Sequence, residues 1–207
     1  MKLIETNIPG LLVIEPDVFH DGRGCFFESF SARKFEELTG LKVEFVQDNE
    51  SHSAYGTVRG LHFQTGIHAQ AKLVRVVSGR VLDVAVDLRE GSPTFGHHFS
   101  VELSEENHLQ MFIPKGFAHG FSVLSEKAVF QYKCDEYYAP QSEAALLWND
   151  PDLGIDWKLS VSDVILSERI VEIRHLRNTL IVNEDIGDRF VWTAWPRDHA
   201  TVGGFRT

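Results

Sequence analysis

The segment RGLHFQ, residues 59–64, places Arg59 and His62 three positions apart in an otherwise apolar stretch that is typical of a β-strand. Successive side chains of a strand point to opposite faces, so these two groups should face apart. A bulge at Gly60 would bring both to one face, where an imidazole can exchange protons near neutral pH and a guanidinium can bind paired oxygens. The simpler interpretation is a buried histidine satisfied by a hydrogen bond, beside an arginine at the surface.

A second histidine lies in PKGFAHGF, where Pro114, Gly116 and His119 form the pattern P-x-G-x-x-H. This pattern resembles the second half of the signature of cupins, a family of jelly-roll barrels. In metal-dependent cupins that histidine is a ligand, and the first half supplies an H-x-H pair and a glutamate. The preceding stretch here offers only His62 and His68. A catalytic metal needs about three protein ligands, so we expect no metal and no cofactor. A structural barrel histidine remains the alternative for His119.

Composition limits the function classes. The chain has 207 residues, 43% of them hydrophobic, and a net charge of −10, which argues against a general nucleic-acid or acidic-membrane surface. No apolar run approaches the roughly 18 residues that span a bilayer, and the N-terminal residues make a poor signal peptide. Cys25 and Cys134 form no motif and predict free thiols in a reducing compartment. We therefore expect a cytoplasmic protein.

Short β-branched runs separated by turn residues predict a barrel or sandwich rather than a βαβ fold. The segment SARKFEELTG predicts a short helix that begins after Ser31 and ends at Gly40. The dipeptide Ser78-Gly79 predicts a hairpin between the two strands around it. A second hairpin-like pair is predicted within residues 120–138.

Six blocks carry a more specific resemblance. They are VFHDGRGCFFESF, FVQDN, VRGLHFQ, AKLVRVVSGRVLDVAVDLREGSPTFG, FIPKGFAHGFSVLSEKAVFQYKCDEYYAP and WNDPDLGIDW. Together they resemble the dTDP-4-dehydrorhamnose 3,5-epimerase family over residues 1–168. The resemblance implies a metal-free, mainly β cupin jelly-roll barrel with short flanking helices, usually a homodimer. It also implies an isomerase that converts dTDP-4-dehydro-6-deoxy-D-glucose to dTDP-4-dehydro-L-rhamnose by inverting C3 and C5, within L-rhamnose biosynthesis.

The resemblance also implies catalytic roles. His62 matches the general base that removes a proton beside the ketone, and Tyr132 matches the acid that returns one. Lys72 matches the cation near the enolate oxygen. Asp83 is expected to support the catalytic histidine or lysine by a hydrogen bond. Without the resemblance, a lysine is usually a solvated surface charge and a strand tyrosine is usually packed in a core.

Further positions match family contacts to the substrate. Arg59 matches a contact to the diphosphate, His119 a donor in the sugar pocket and Tyr138 the ring that stacks on thymine. The remaining matches are the ligand contact Glu143, the nucleotide contacts Arg23 and Glu28, and the binding triplet Gln47, Asp48 and Asn49.

The resemblance ends near residue 168. In LSERI, Ile170 stands where the family has an aspartate that pairs with the base histidine. Asp163 and Glu168 are nearby carboxylates that could replace it. Residues 169–207 form an atypical tail, expected as a helix followed by irregular chain. Either the tail has diverged, or the reading frame shifted near residue 169; translating the coding DNA in all frames would distinguish the two.

Three other functions stay open. The first is an enzyme that inverts C3 alone or moves the ketone of a dTDP-sugar. The second is a non-catalytic cupin that binds sugar nucleotides. The third is a metal-dependent cupin oxygenase or isomerase.

Overall fold

The computed structural model describes residues 1–167 and 173–176. Two six-stranded sheets dominate it. Numbered along the chain, the strands of the first sheet lie in the spatial order β1 (Lys2–Glu5), β2 (Leu12–Glu15), β10 (Gln110–Ile113), β7 (Lys72–Ser78), β12 (Lys127–Cys134) and β5 (Gln47–Ala54). Those of the second lie in the order β14 (Ile173–Arg174), β13 (Glu143–Leu146), β6 (Val58–Gln64), β11 (Phe117–Val123), β8 (Arg80–Asp87) and β9 (His98–Ser104). The mainly β prediction is confirmed.

Smaller elements flank the sheets. Strands β3 (Phe19–Asp21) and β4 (Gly24–Phe26) form a separate hairpin. The helices are α1 (Ala32–Thr39) and three short 3-10 helices, Gly66–His68, Pro140–Ser142 and Val161–Asp163. Helix α1 begins and ends as predicted: the Ser31 hydroxyl accepts the Lys34 N–H, and Gly40 adopts a left-handed φ of 72°.

The two sheets pack on each other through a shared apolar core. Val74 and Phe130 of the first sheet meet Val81 and Phe121 of the second in this cluster. A second cluster, which includes Trp157, covers the opposite face of the second sheet. Strand β8 is therefore buried on both faces, which explains its nearly continuous apolar sequence.

Both predicted hairpins are wrong. Strand β7 pairs with β10 and β12, whereas β8 pairs with β11 and β9, so the turn at Ser78-Gly79 crosses between sheets. Strands β11 and β12 likewise belong to different sheets. Gly79 has a φ of 81°, as a tight turn requires. Turn residues encode the reversal of the backbone, but the pairing partner depends on which faces the strands must bury.

The C-terminal region is described in part. Residues 173–174 form β14, which pairs in parallel with β13, and the buried Leu176 contacts the second apolar cluster. The predicted boundary at 168/169 and most of the tail, including Ile170, lie outside the described residues. Among the residues that are described, no helix is long and apolar enough to cross a membrane.

Candidate active site

A cavity of about 260 Å³ opens between the two sheets. Side chains from both sheets and from the chain around residue 138 line it. The lining residues are Ser51, Arg59, His62, Phe63, Gln64, Gln70, Lys72, His119, Gly120, Phe121, Phe130, Tyr132, Tyr138 and Glu143. All three residues predicted as base, acid and oxyanion-stabilising cation are among them.

An irregularity in strand β6 brings Arg59 and His62 to the same cavity. Along β11, His119 pairs with His62 and Phe121 with Arg59, so three residues of β6 match two of β11. The extra residue lies at Gly60, where a side-chain carbon would sit 2.4 Å from the Cα of Gly120. The predicted bulge at Gly60 is confirmed. It explains how Arg59 and His62, which would point to opposite faces of a regular strand, line the same cavity.

The first sheet contributes Tyr132 from β12 and Lys72 from the start of β7. The Lys72 ammonium lies 5.9 Å from the centre of the Tyr132 ring. Burial raises the pKa of Tyr132. Burial also lowers the pKa of Lys72, although the nearby Cys134, Asp83 and Glu143 oppose that change. The phenol therefore holds its proton more firmly than in water, and the lysine holds its proton less firmly.

A buried hydrogen-bond partner, Asp83, lies behind His119. Its Nε2 lies 2.7 Å from the Asp83 Oδ1, and both side chains are buried. Asp83 was predicted to bond the catalytic histidine or lysine; its hydrogen bond goes to His119 instead, because β8 and β11 are neighbours and β6 lies beyond β11. The other oxygen, Oδ2, is buried with no partner among the described residues. Burial raises the pKa of Asp83, while His119 and Lys72 oppose the rise.

Tyr138 and Glu143 lie on the second sheet's side of the cavity. The Tyr138 hydroxyl donates to the Glu143 Oε2 at 2.8 Å, and the tyrosine is 43% exposed. Tyr138, which the resemblance assigns to thymine stacking, and Glu143, which it assigns to a ligand contact, are thus next to each other. The site combines two basic side chains, Arg59 and Lys72, with an aromatic ring, a histidine and a buried tyrosine. Such a set can bind an anionic aromatic ligand and move a proton within it.

Comparisons with known proteins show which family the chain belongs to. A family model described as dTDP-4-dehydrorhamnose 3,5-epimerase matches residues 5–178. The chain belongs to the dTDP-4-dehydrorhamnose 3,5-epimerase family. The family, the enzyme class and the activity predicted from the motifs are confirmed.

Individual relatives are similar over most of their length. The dTDP-4-dehydrorhamnose 3,5-epimerase of Salmonella typhimurium is 57% identical over 160 residues, 77% of this chain and 87% of the relative. The crystal structure of the Elizabethkingia anophelis enzyme of that name is 60% identical, with a TM-score of 0.78 over 81% of this chain and 92% of its own. A Legionella pneumophila dTDP-6-deoxy-D-glucose-3,5-epimerase in complex with dTDP-4-keto-L-rhamnose is 53% identical, with a TM-score of 0.78 over 81% of this chain and 88% of its own. The predicted cupin jelly roll is confirmed.

Five positions that the family resemblance assigned to substrate binding, the nucleotide contacts Arg23 and Glu28 and the triplet Gln47, Asp48 and Asn49, do not line the epimerase cavity. Their side chains have other partners. Arg23 pairs with Asp21, Glu28 with Lys34 and Asp48 with Lys133, while Gln47 donates to Asn49, and Asn49 lies 3.7 Å from the Cys134 sulfur. Two of the five also contact cavity residues through the backbone: the Gln47 Oε1 accepts the Tyr138 N–H, and Asn49 pairs with Tyr132 in the register of β5 on β12.

Sequence reasoning missed several residues that line the epimerase cavity. Gln64, Gln70, Ser51 and Phe130 are among them. A signal did exist for Gln64: it lies two residues after His62 on one strand, and such residues share a face. Within the described residues, no three histidine, cysteine, aspartate or glutamate side chains form a group that could hold a metal ion.

Proposed function

We propose that this chain inverts C3 and C5 of dTDP-4-dehydro-6-deoxy-D-glucose, with His62 as base, Tyr132 as acid and Lys72 beside the enolate oxygen. The observation that carries this assignment is that His62 and Tyr132 come from opposite sheets and line one cavity. Inversion requires a proton to leave one face of a carbon and return to the other. Groups on opposite walls suit that exchange.

The proton steps balance at each carbon. His62 takes the proton from the carbon next to the C4 ketone, and the electron pair of the broken C–H bond forms the enolate. The Lys72 ammonium stabilises the negative oxygen, which exists only after deprotonation, so it favours the transition state over the ketone. Tyr132 then donates its proton to the opposite face of the same carbon. Solvent exchange resets both side chains.

Burial suits Tyr132 to this role. The raised pKa of its phenol keeps the proton in place until a strongly basic carbon accepts it. Burial lowers the pKa of Lys72 because it disfavours the charged ammonium. The nearby Cys134, Asp83 and Glu143 oppose this change and so favour the charged form.

The nucleotide end of the substrate would contact Arg59, Tyr138 and Glu143, all of which line the cavity. Arg59 is fixed there because its Nε donates to the Ser53 hydroxyl at 3.1 Å, so its terminal nitrogens can face a diphosphate in a fork. Tyr138 offers an exposed ring for the thymine. His119, held by Asp83, would donate within the sugar pocket.

A second copy of the chain would complete the site. Phe19 and Phe26 face each other across the β3–β4 hairpin and are 66% and 71% exposed. Arg23, at the tip of that hairpin, does not line its own cavity. In a homodimer, burying the two rings would supply binding energy and would carry Arg23 and Glu28 to the partner's nucleotide. The two free thiols fit a reducing cytoplasm.

The dimer is tested by light scattering on Phe26→Ser, with the exposed Val161→Ser as control. We expect the Phe26 variant to be monomeric and to bind dTDP at least about tenfold more weakly, because an aromatic anchor and a cation are lost together. The Val161 variant should remain dimeric. A monomeric wild-type chain, or a dimeric Phe26 variant, would contradict this arrangement.

The catalytic assignment is tested by deuterium exchange. Incubating the chain with dTDP-4-dehydro-6-deoxy-D-glucose in deuterated water should label both C3 and C5, and a chelator should not reduce the labelling. The variant His62→Ala should lose at least about 10³-fold in exchange at both carbons. The exposed His52→Ala is the matched control and should exchange like the wild type.

Each alternative gives a different result. Label at C3 alone would identify an enzyme that inverts one carbon, and no exchange together with tight dTDP binding would identify a binding protein. Substantial exchange by His62→Ala would show that another group is the base.

A further inference from the structure

Gln64 uses its side chain to join three separate backbone groups. Its Nε2 donates to the His68 carbonyl at 2.7 Å and to the Tyr137 carbonyl at 3.2 Å. Its Oε1 accepts the Ala139 N–H at 2.7 Å. Gln64 is 7% exposed, so these bonds are formed away from solvent. Breaking them would leave buried polar groups without hydrogen-bond partners.

Two of those three bonds flank Tyr138 on either side in the sequence. Residues 137 and 139 are both fixed to Gln64, whereas the rings of Tyr137 and Tyr138 are 63% and 43% exposed. Exposed rings contribute little packing, so the backbone of this segment depends on its hydrogen bonds for order. Gln64 therefore fixes the backbone on both sides of Tyr138, while the Tyr138 hydroxyl donates to Glu143.

Two further glutamines act on the same segment. Gln70 donates to the Glu136 carbonyl at 2.8 Å, and the Gln47 Oε1 accepts the Tyr138 N–H at 3.0 Å. These residues each make one bond to the segment, whereas Gln64 makes two and also ties it to the 3-10 helix Gly66–His68. Of the three glutamines, Gln64 makes the most hydrogen bonds to the segment.

We propose that Gln64 is a positioning residue for nucleotide binding, which holds the Tyr138 ring at the site where the base of the substrate stacks. The inference rests on the proposed function. Gln64 and His62 are two residues apart on strand β6 and both line the cavity, so a single strand sets the place of the base histidine and of the stacking ring. Strand β6 thereby sets the distance between the site of the reacting sugar and the site of the nucleotide base.

The test measures dTDP affinity, which does not depend on turnover. Gln64→Met keeps the length of the side chain and removes all three bonds. We expect the Kd for dTDP and the KM for the dTDP-sugar to rise roughly tenfold, as the loss of buried hydrogen bonds allows, while kcat stays within about twofold. In a Tyr138→Ala background the same change should alter the Kd by less than about twofold, because the ring it positions is already gone.

Asn107 offers a matched control. Its side chain also bonds three backbone groups of one turn, those of Ser104, Leu109 and Glu102, but it does not line the cavity. Asn107→Leu should lower stability as Gln64→Met does and leave the Kd for dTDP unchanged.

The outcomes separate the two proposals. A wild-type chain that binds no dTDP overturns the proposed function and this inference with it. A wild type that binds and a Gln64→Met variant that binds equally well overturn the inference alone. A fall in kcat at constant KM, or an equal loss of affinity with and without the Tyr138 ring, would show that Gln64 acts through His62 or the general fold, and would also overturn it.

Discussion

Asp83 and Asp87 lie on the same strand, β8, and neither has any exposed surface. Asp87 is fully hydrogen-bonded: it accepts from the backbone and side chain of Arg89 and from the hydroxyls of Ser92 and Thr94. Asp83 has one bond, to His119, and its second oxygen has no partner within residues 1–167 and 173–176. The two carboxylates share a strand and a degree of burial, and differ in how well they are satisfied.

The difference appears in their acidity. Burial alone would raise the pKa of Asp87, but its hydrogen bonds outweigh burial and bring the pKa to about 2. At Asp83 burial prevails and the pKa rises. The well-bonded Asp87 at the end of the strand stabilises the fold, whereas Asp83, which lies behind the cavity residue His119, keeps one oxygen without a hydrogen bond. Burying such a group is costly, and such a cost is typical of functional sites.

The largest expected effect is on activity. Asp83→Asn should lower kcat/KM by about 10²-fold, because an amide does not orient the His119 ring as the carboxylate does. Its stability to urea should equal or exceed that of the wild type, since an unfavourable buried charge is removed. Epimerase kinetics and urea titration on one preparation measure both. A strongly destabilised variant with normal kinetics would assign Asp83 to the fold instead.

The next effect is on stability. Asp87→Asn should lower the free energy of unfolding by about 2 kcal/mol, the value that corresponds to a pKa lowered from 3.8 to about 2. The kinetics of the remaining folded enzyme should stay close to wild type. Urea unfolding at neutral pH provides the measurement, and a loss of activity without a loss of stability would break the contrast with Asp83.

The smallest expected effect is on the pH dependence of stability, which should have opposite signs for the two aspartates. The stability that Asp87 contributes is present above its ordinary pKa of 3.8 and is lost as the pH falls towards 2. Down to about pH 3.5, the wild type should therefore lose less than about 1 kcal/mol relative to Asp87→Asn. The raised pKa of Asp83 acts oppositely, because its contribution is lost as the pH rises. Relative to Asp83→Asn, the wild type should gain stability on acidification.

Both trends come from urea titrations at a series of pH values. Parallel changes in the two variants would mean that overall charge, rather than the local partners of each aspartate, governs these groups.

The family resemblance supplied the roles of the site residues, while local signals in the sequence predicted the shape of strand β6 and the ends of α1. The spacing in RGLHFQ and the glycine within it indicated a bulge that puts Arg59 and His62 on one cavity, and the register of β6 on β11 shows it. The ends of α1 were also predictable, since Ser31 and Gly40 act within one turn.

The failures concern partners that are distant in the chain. Asp83 and His119 are 36 residues apart, and Gln64 is 75 residues from Ala139. No local sequence pattern predicts which histidine bonds to an aspartate, or to which backbone groups a glutamine bonds. The same limit explains the turn at Ser78-Gly79, where the residues specify a reversal and the burial of whole sheets decides the pairing.

Gly60 and Gly120 cross at the bulge so closely that neither has room for a methyl group: one on Gly60 would lie 2.7 Å from the His119 carbonyl, and one on Gly120 would lie 2.6 Å from the Arg59 carbonyl. Even alanine at either position must push apart strands β6 and β11, which carry His62 and His119. The spacing of β6 and β11 beside the cavity thus depends on the absence of a Cβ atom at both glycines. Replacing either one by alanine, the smallest possible substitution, would be among the least tolerated changes in the chain.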